Sequence, residues 1–315
     1  MPRQPRIEYE GAIYHVMNRG DRREEIVRED SDREIFVATL GEACVKCSWE
    51  VHAWCLMGNH FHLVVETPQG NLVAGMKWFL GTYTSRFNSR HRLRGHLFSG
   101  RYKSLIVDDK DPHYLQVLGD YVHLNPSRAG LIEPCGELAG YRWSSYPDYL
   151  EAPIKRPKWL RVDRILGECG IRHDDSRGRK SFARRMEELR QEEADAMDYA
   201  GIRRGWRFGS EEFVSRMLER VSEISRSGDI HSQREVEEGM DPKAMRIIAE
   251  GLKQAGWKAG DLRKERKGHP VKVQIAETLR RETTKTLKWI AEELHMGAWT
   301  HVSHLLYRSR AKGGL

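Results

Sequence analysis

A short segment of alternating side chains, His60–Glu66, constrains the fold of this chain more than any other stretch. Alternate side chains of a β-strand point to opposite faces of a sheet, so His60 and His62 are predicted to share one face. The side chains predicted on the other face are apolar and suit a buried core: Phe61, Leu63 and Val65. The segment therefore predicts a strand with one packed face and one face that carries two neighbouring imidazoles.

This strand is the second of a predicted hairpin. Trp49–Leu56 alternates as the preceding strand, and Met57–Asn59 suits a tight turn between the two. The order strand, helix, strand, strand, helix, strand predicts an α+β domain with helices against one face of an antiparallel sheet. The other elements of that order are a strand over residues 12–20, a helix over 31–43, a helix over 71–90 and a strand over 101–107.

A helix after these elements carries further polar groups. Asp111 followed by Pro112 is typical of a helix start, because the aspartate can cap the helix and proline fits its first turn. We expect the helix to end before Pro126, since proline disfavours helical geometry in the preceding residue. Tyr121 and Asn125 are four residues apart and are predicted to share one side of the last turn.

Together these side chains could cleave a phosphodiester. His60, His62 and Asn125 would hold a divalent cation in an open site, where it polarises a phosphate oxygen. Tyr121 would attack the phosphorus and stay covalently joined to DNA. Two alternatives stay open on spacing alone: a pair of surface histidines without a metal, and a zinc hydrolase, since imidazoles also suit Zn²⁺.

The overall charge favours a polyanionic partner. The 315 residues carry a formal net charge of +7, which makes nucleic acid the first partner to consider. No apolar run reaches the roughly 18–20 residues of a membrane span, and residues 1–6 lack the apolar centre of a signal peptide. We therefore expect a protein without membrane contact that is kept in the cytoplasm.

Basic residues near the predicted strands and helices are candidates for contact with DNA phosphates. Aromatic and basic groups are interleaved in the tail of the second helix, and this mixture can stack bases while neutralising phosphates. Each basic residue could instead be a solvated surface charge. The candidates are Arg19, Arg86, Arg101, Lys103 and Arg128.

Composition divides the chain into three parts. Residues 1–150 hold the predicted sheet domain, and residues 151–180 contain prolines, glycines and a charged run typical of a linker. Residues 181–315 are predicted to be all-helical, with a long charged helix over Phe182–Tyr199. Residues 284–308 resemble a helix-turn-helix, and a three-helix interaction module is the alternative. The side chains free to meet a DNA groove would be Trp299, Thr300, His301, Ser303 and His304.

Four motifs in order resemble the REP-associated tyrosine transposases, a branch of the HUH single-strand transposases. Gly58–His62 looks like the His-hydrophobic-His motif of the superfamily. Tyr121–Gly130 resembles the Tyr-Ile-His-x-Asn-Pro-Val-Arg-Ala-Gly signature of the branch. Ile13–Gly20 and Phe98–Lys103 also fit, and the likeness covers roughly residues 8–150.

The resemblance implies a ferredoxin-like N-terminal domain and a Mg²⁺ or Mn²⁺ ion. It implies that His60 and His62 are metal ligands and that Asn125 occupies the third-ligand position. Tyr121 would form a 5′-phosphotyrosine and leave a free 3′-OH. The substrates that the resemblance implies are palindromes that fold as hairpins in single-stranded DNA, beside a guide tetranucleotide.

The C-terminal helices are similar to the DNA-binding domain of the bacterial replication initiator DnaA, a likeness that rests on Ile275–Thr283 and the helices after it. It implies a second contact, with duplex DNA. The sequence thus predicts a metal-dependent tyrosine transposase that cleaves and rejoins hairpin DNA. The alternative is a non-catalytic DNA-binding regulator of hairpin or repeat DNA, and both a monomer and a homodimer remain open.

Overall fold

The computed structural model describes residues 7–133, 135–192, 202, 207–226 and 241–312. The chain divides into two compact units, Met1–Cys44 with Ser48–Ser222, and Val45–Cys47 with Glu223–Leu315. Residues 193–199, the end of the long charged helix predicted from Phe182, lie outside the described residues.

Among the described residues of the first unit, five strands form one sheet, in the order β2-β3-β1-β4-β5. β1 pairs antiparallel with both β3 and β4, and β2 pairs antiparallel with β3. These four strands and the helices between them are, in chain order, β1 (Ala12–Arg19), α1 (Asp30–Cys47), β2 (Glu50–Leu56), β3 (His60–Thr67), α2 (Leu72–His91) and β4 (Lys103–Val107). Their connectivity and strand order are ferredoxin-like, so the predicted α+β class is confirmed.

One face of the sheet packs against α1 and α2 through aromatic side chains. Phe36 of α1 lies at the centre of this cluster, with its ring centroid 5.3 Å from that of Phe61 in β3. Its centroid is also 5.1 Å from that of Phe79 and 5.0 Å from that of Tyr83, both in α2. All four rings are buried. The apolar face predicted for the strand therefore forms the core between sheet and helices.

The helix α3 (Pro112–Arg128) packs across the other face of the sheet. It begins as expected, with the Asp111 side chain accepting a backbone N–H of the first turn at 3.0 Å. The predicted end before Pro126 is wrong, because the helix continues to Arg128. Proline costs the helix one N–H donor, but the next turn still closes, with the Ala129 N–H donating to the Asn125 carbonyl at 3.0 Å. A proline this close to the helix end removes a single bond and is tolerated.

Residues 151–180, predicted as a linker, are packed into the first unit. Backbone bonds join this segment to β2: the Arg161 N–H donates to the Val51 carbonyl at 2.8 Å, and the Val51 N–H donates to the Trp159 carbonyl at 3.0 Å. Prolines and glycines suggested a linker, but the apolar side chains between them are buried: Leu160, Val162, Ile165 and Leu166. The helix α4 (Tyr146–Leu150) precedes this region, which contains α5 (Asp163–Glu168) and the start of α6 (Ser176–Glu192).

The sheet gains a fifth strand that the sequence does not predict. β5 (Arg207–Phe208) pairs in parallel with β4 and precedes α7 (Glu211–Arg226). Asp108, directly after β4, anchors this addition, because its carboxylate accepts from the Ser210 hydroxyl at 2.7 Å. Two residues are too few to show an alternating pattern, so the sequence carries no signal for this strand.

The described part of the second unit, residues 241–312, is helical, as predicted. Its core includes Ile248, Ile275 and Ile290. The buried ammonium of Lys272 donates to the carbonyl of Leu262 at 2.6 Å. The helices are α8 (Pro242–Ala255), α9 (Asp261–Lys264), α10 (Pro270–Glu282), α11 (Leu287–Glu293) and α12 (Trp299–Lys312). No described helix in either unit has the length and apolar character needed to cross a membrane.

Replacing Phe36 by alanine should destabilise the first unit by about 3–5 kcal/mol, because a buried ring is lost and a cavity remains among three aromatic neighbours. Hydrogen exchange of the β1 and β3 amides in the full chain measures this loss, since amides of central strands exchange only when the sheet opens. Leu131→Ala is the control: its side chain is 52% exposed, and the change should stay within about 0.5 kcal/mol. Equal protection in both variants would contradict the central role of the aromatic cluster.

Candidate active site

The pairing of β1 with β3 places the two histidines on the face covered by α3. Directly opposed residues of antiparallel strands share a face, and Arg19 pairs with His60 while Met17 pairs with His62. Lys103 of β4 pairs with Met17 and continues the same face. The imidazoles of His60 and His62 lie side by side, with ring centroids 5.2 Å apart.

Tyr121 of α3 lies against this pair. The centroid of its ring is 5.5 Å from that of His62 and 5.8 Å from that of His15 in β1, both in edge-to-face geometry. The His15 Nε2 atom is 3.0 Å from the His62 Nδ1 atom. Tyr121 is only 6% exposed, and His15 and His62 are buried as well. The predicted nucleophile and one predicted ligand are therefore in contact.

Asn125, the predicted third ligand, lies one turn further along α3. Its side-chain amide donates to the Tyr121 carbonyl at 3.0 Å, so its oxygen is the atom that could bind a cation. Arg128 contacts the same tyrosine: Nη1 donates to the Tyr121 carbonyl at 3.3 Å, and the guanidinium lies 4.7 Å from the ring centroid. Tyr121 therefore contacts both the imidazoles of His15 and His62 and the guanidinium of Arg128.

Burial keeps the imidazoles of this site uncharged. Burial and then the positive charge of Arg19 lower the pKa of His60 to about 4. Burial lowers the pKa of His15 to about 3. Burial, followed by the neighbouring His15 and His60, holds the pKa of His62 well below its usual value. Protons therefore do not compete with a metal ion for these imidazoles at neutral pH.

The hydrogen bonds of both predicted ligands fit a metal site. Histidines that bind a metal use one ring nitrogen for the cation and donate the other N–H to a polar neighbour. The His60 Nδ1 atom lies 2.7 Å from the Asn59 side-chain oxygen, and the His62 Nδ1 atom lies beside His15. The two Nε2 atoms would then be the ligand atoms, joined by the Asn125 oxygen. This mixture of imidazole and amide oxygen admits both Zn²⁺ and Mn²⁺.

A second group of potential ligands lies at the start of α1. Ligand atoms of Glu29, Asp32 and His91 come within 4.8 Å of one another. Arg90 already pairs with Glu29 at 2.6 Å and with Asp32 at 3.4 Å. The Asp32 carboxylate also accepts the backbone N–H groups of Arg28 and Glu29. These contacts cap α1, so a metal ion at this position would compete with Arg90.

The predicted phosphate contacts of the first unit divide between its two layers. Arg19 and Lys103 are exposed on strands of the histidine face, and Arg101 is exposed just before β4. Arg86 instead lies on α2, where its guanidinium donates to the Glu42 carboxylate at 2.8 and 3.1 Å. Arg86 is therefore apart from the group around the histidines.

Five predicted DNA contacts of the second unit lie on α12. The inner side of this helix is buried through Val302 and Leu306. Residues 299–312 include no acidic side chain, so nothing on this helix would repel a phosphate backbone. The predicted contacts are all exposed: Trp299, Thr300, His301, Ser303 and His304.

His15 is the site residue that the sequence-based prediction missed. Its strand was expected, but its contact with His62 joins residues 47 positions apart in the chain. Alternation within β1 shows only that His15 shares a face with Met17. Which face meets the histidines of β3 depends on the pairing register, and no local pattern carries that information.

The imidazoles of the site should not titrate near neutral pH. Below the usual histidine value of 6.5 the unfolded chain takes up protons that the folded chain does not, so the first unit should lose stability as the pH falls from 6.5 towards 4. NMR titration should give a midpoint for His60 of about 4. Arg19→Gln should raise this midpoint, because it removes a positive neighbour, whereas Lys103→Gln on the same face should not. A wild-type midpoint near 6.5 would contradict the burial of this site.

Comparisons with known proteins give distant structural likenesses. A REP-associated tyrosine transposase bound to a REP hairpin is 14% identical, with 50% of this chain and 91% of that chain covered and a TM-score of 0.40. A candidate transposase from Deinococcus radiodurans is 19% identical, with 36% and 93% covered and a TM-score of 0.28. No curated protein matches the sequence.

A family model covers the sheet and the helix that carries the site. The model, described as IS200-like transposase, matches residues 8–125. This span contains His60, His62 and Tyr121 and ends at Asn125. Residues 8–125 of this chain are therefore similar to the IS200-like transposases.

Proposed function

We propose that this chain is a metal-dependent tyrosine transposase that cleaves and rejoins single-stranded DNA at palindromic, REP-like hairpins. The observation that carries the proposal is the contact between Tyr121 and His62, whose ring centroids lie 5.5 Å apart on a buried sheet face. The phenol ring of Tyr121 thus lies beside the imidazoles of His62 and His15, an arrangement that suits phosphoryl transfer onto a protein side chain. The family of residues 8–125 supports the same class of reaction.

In the proposed reaction the Tyr121 oxygen attacks the scissile phosphorus. The new bond joins that oxygen to phosphorus, and the bond from phosphorus to the 3′ oxygen breaks. The phenol loses its proton, and the departing 3′ oxygen takes one up. The products are a 5′-phosphotyrosine and a free 3′-OH. Because one phosphoester replaces another, attack by a 3′-OH on the phosphotyrosine rejoins the DNA without an external energy source.

The residues around Tyr121 have separate roles in this proposal. His60, His62 and Asn125 would hold the divalent cation, whose chemistry is to polarise the phosphate and stabilise its developing charge. Arg128 orients the nucleophile, because it lies over the Tyr121 ring and donates to its carbonyl. Its positive charge also favours a phosphate at this position.

The proposed substrate is a structured single strand. The likeness of Tyr121–Gly130 to the signature of REP-associated transposases supports hairpin DNA. Exposed cations near the site, Arg19, Arg101 and Lys103, suit contact with a phosphate backbone. Such contacts position the strand and do not read its sequence. We expect the protein to act in the cytoplasm, as a monomer or a homodimer.

The second unit would add a contact with duplex DNA. α11 and α12 occupy the segments predicted for a helix-turn-helix. The outer side of α12 is exposed, carries Trp299 and Arg308, and lacks acidic residues. A helix of this kind suits a DNA groove. This unit would hold duplex beside the hairpin that the first unit cleaves.

Tyr121→Phe should abolish a covalent protein–DNA adduct, because it removes the attacking oxygen and leaves the ring. Incubation of the full chain with hairpin DNA and Mn²⁺, followed by a denaturing gel, measures the adduct. Tyr114→Phe is the matched control, since it removes a hydroxyl from the same helix α3, where the ring contacts Phe208 of β5. Wild type and Tyr114→Phe should give equal adduct.

Other outcomes of this experiment identify the alternatives. An adduct that persists in Tyr121→Phe would contradict the assignment of the nucleophile. Cleavage that survives Tyr121→Phe and disappears in His60→Ala would indicate a metal-dependent hydrolase. Tight hairpin binding by wild type without adduct or cleavage would indicate a non-catalytic regulator.

Neutralising a phosphate contact should make binding less dependent on salt. Arg19→Gln should reduce the slope of log K against log salt for hairpin DNA by about 1, because one fewer phosphate is neutralised. Arg86→Gln should reduce the slope less, since its guanidinium is engaged by Glu42. Fluorescence anisotropy over a salt series measures both slopes.

The same measurement separates the two units. Arg308→Gln on α12 should reduce the slope for duplex DNA and leave the hairpin slope unchanged. A change confined to the hairpin slope would contradict a duplex-binding role for the second unit.

A further inference from the structure

Two of the imidazoles beside Tyr121 form a hydrogen-bonded pair. His15 lies on β1, a strand inside the sheet, and is 1% exposed. Its Nε2 atom is 3.0 Å from the His62 Nδ1 atom. The two rings meet edge to edge through these nitrogens, with an angle of 21° between their planes and centroids 5.2 Å apart. A cation bound at His62 Nε2 would leave the Nδ1 atom of that ring available for a hydrogen bond. Nδ1 is the atom that His15 contacts.

A hydrogen bond between these two nitrogens requires one proton. The nitrogen atom that carries this proton determines whether His62 can bind a metal ion. A neutral imidazole carries a single proton, on either Nδ1 or Nε2. If the proton belongs to His62 Nδ1, then His62 Nε2 keeps a lone pair. If it belongs to His15 Nε2, then His62 has its own proton on Nε2 and cannot bind a cation there.

For His60, the side-chain amide of Asn59 determines which ring nitrogen carries the proton. The Asn59 oxygen lies 2.7 Å from His60 Nδ1. The Asn59 Nδ2 group donates to the carbonyl of Arg23 at 3.2 Å, which orients the amide. An amide oxygen can only accept, so the proton of His60 is on Nδ1 and its Nε2 lone pair is available. His15 occupies the corresponding place for His62.

The hydrogen bond to His62 also explains why position 15 carries an imidazole and not an apolar side chain. Within the described residues, His15 Nδ1 has no hydrogen-bond partner. Burying a polar atom without a partner destabilises the folded chain, and an apolar side chain in β1 would avoid this cost. The ring of His15 otherwise meets the edge of Tyr121. The structure therefore carries a buried polar group whose one polar contact among these residues is the predicted ligand.

We propose that His15 is a positioning residue of the metal site, which accepts the Nδ1 proton of His62 and so keeps the His62 Nε2 lone pair for a divalent cation. This inference rests on the proposed function, because it takes His60 and His62 as the ligands. Partners of this kind fix the tautomer and the orientation of a ligand ring, and their loss costs about 10–100-fold in metal affinity. His15 itself touches neither the cation nor the DNA.

Mn²⁺ binding by the full chain tests this role. His15→Leu should weaken Mn²⁺ affinity by about 10–100-fold, as measured by the free-Mn²⁺ signal in electron paramagnetic resonance. His15→Gln should restore most of the affinity, since its side-chain oxygen can accept from His62 Nδ1. His52→Leu is the matched control: His52 is equally buried, in β2, but its Nε2 bonds to Glu66 at 2.9 Å. Its loss should leave the Mn²⁺ affinity unchanged.

A spectroscopic measurement separates a positioning role from a structural one. Imidazole ¹⁵N shifts of the metal-free full chain should show the His62 proton on Nδ1 in wild type and in His15→Gln. In His15→Leu this preference should be lost, while the proton of His60, set by Asn59, should stay on Nδ1. A merely structural effect of His15 would not shift the tautomer of one histidine alone.

The outcomes distinguish failure of this inference from failure of the proposed function. If wild type and His62→Ala bind Mn²⁺ equally, the metal site is not at His62 and both proposals fail. If His62→Ala loses Mn²⁺ and His15→Leu keeps wild-type affinity, only the role of His15 is overturned. If His15→Leu does not fold, the wild-type spectrum decides, because a His62 proton on Nε2 would overturn the inference and one on Nδ1 would support it.

Discussion

The antiparallel pairing of β1 with β3 is the constraint on which the rest of the first unit depends. Its register sets Arg19 opposite His60 and Met17 opposite His62. A slip by one residue would turn every side chain of one strand to the other face. The imidazoles would then enter the aromatic core, and His15 and His62 would separate. One backbone ladder therefore specifies both the hydrophobic core and the candidate active site.

The two faces of this sheet have different chemistry, and separate helices cover them. α1 and α2 bury an aromatic cluster on one face, whereas α3 brings Tyr121 to the histidines on the other. Contacts outside the sheet hold α3 in place: Arg185 of α6 makes a bidentate pair with Asp120 at 2.6 Å, and His123 bonds to the Ser145 hydroxyl at 2.9 Å. Residues far beyond the segment that the family model matches thus help to orient the proposed nucleophile.

Much of the geometry of this candidate site was predictable because its patterns are local. Alternation placed His60 and His62 on one face of a strand, and four-residue spacing placed Tyr121 and Asn125 on one side of a helix. The α+β class followed from the order of strands and helices. Predictions from local patterns were wrong where packing contacts between distant residues outweighed the local signal. Pro126 did not end α3, and residues 151–180 became part of the first unit because their apolar side chains are buried.

The sequence by itself determined which chemical groups this protein can offer: two imidazoles on a strand, a phenol and an amide on a helix, and an excess of positive charge. Only the tertiary structure decided which of them meet. It added His15 to the pair, set Arg128 over Tyr121 and placed Arg86 on the other layer, in a pair with Glu42. The physical reason is that strand register and helix docking depend on contacts between distant residues, and a local pattern does not encode them.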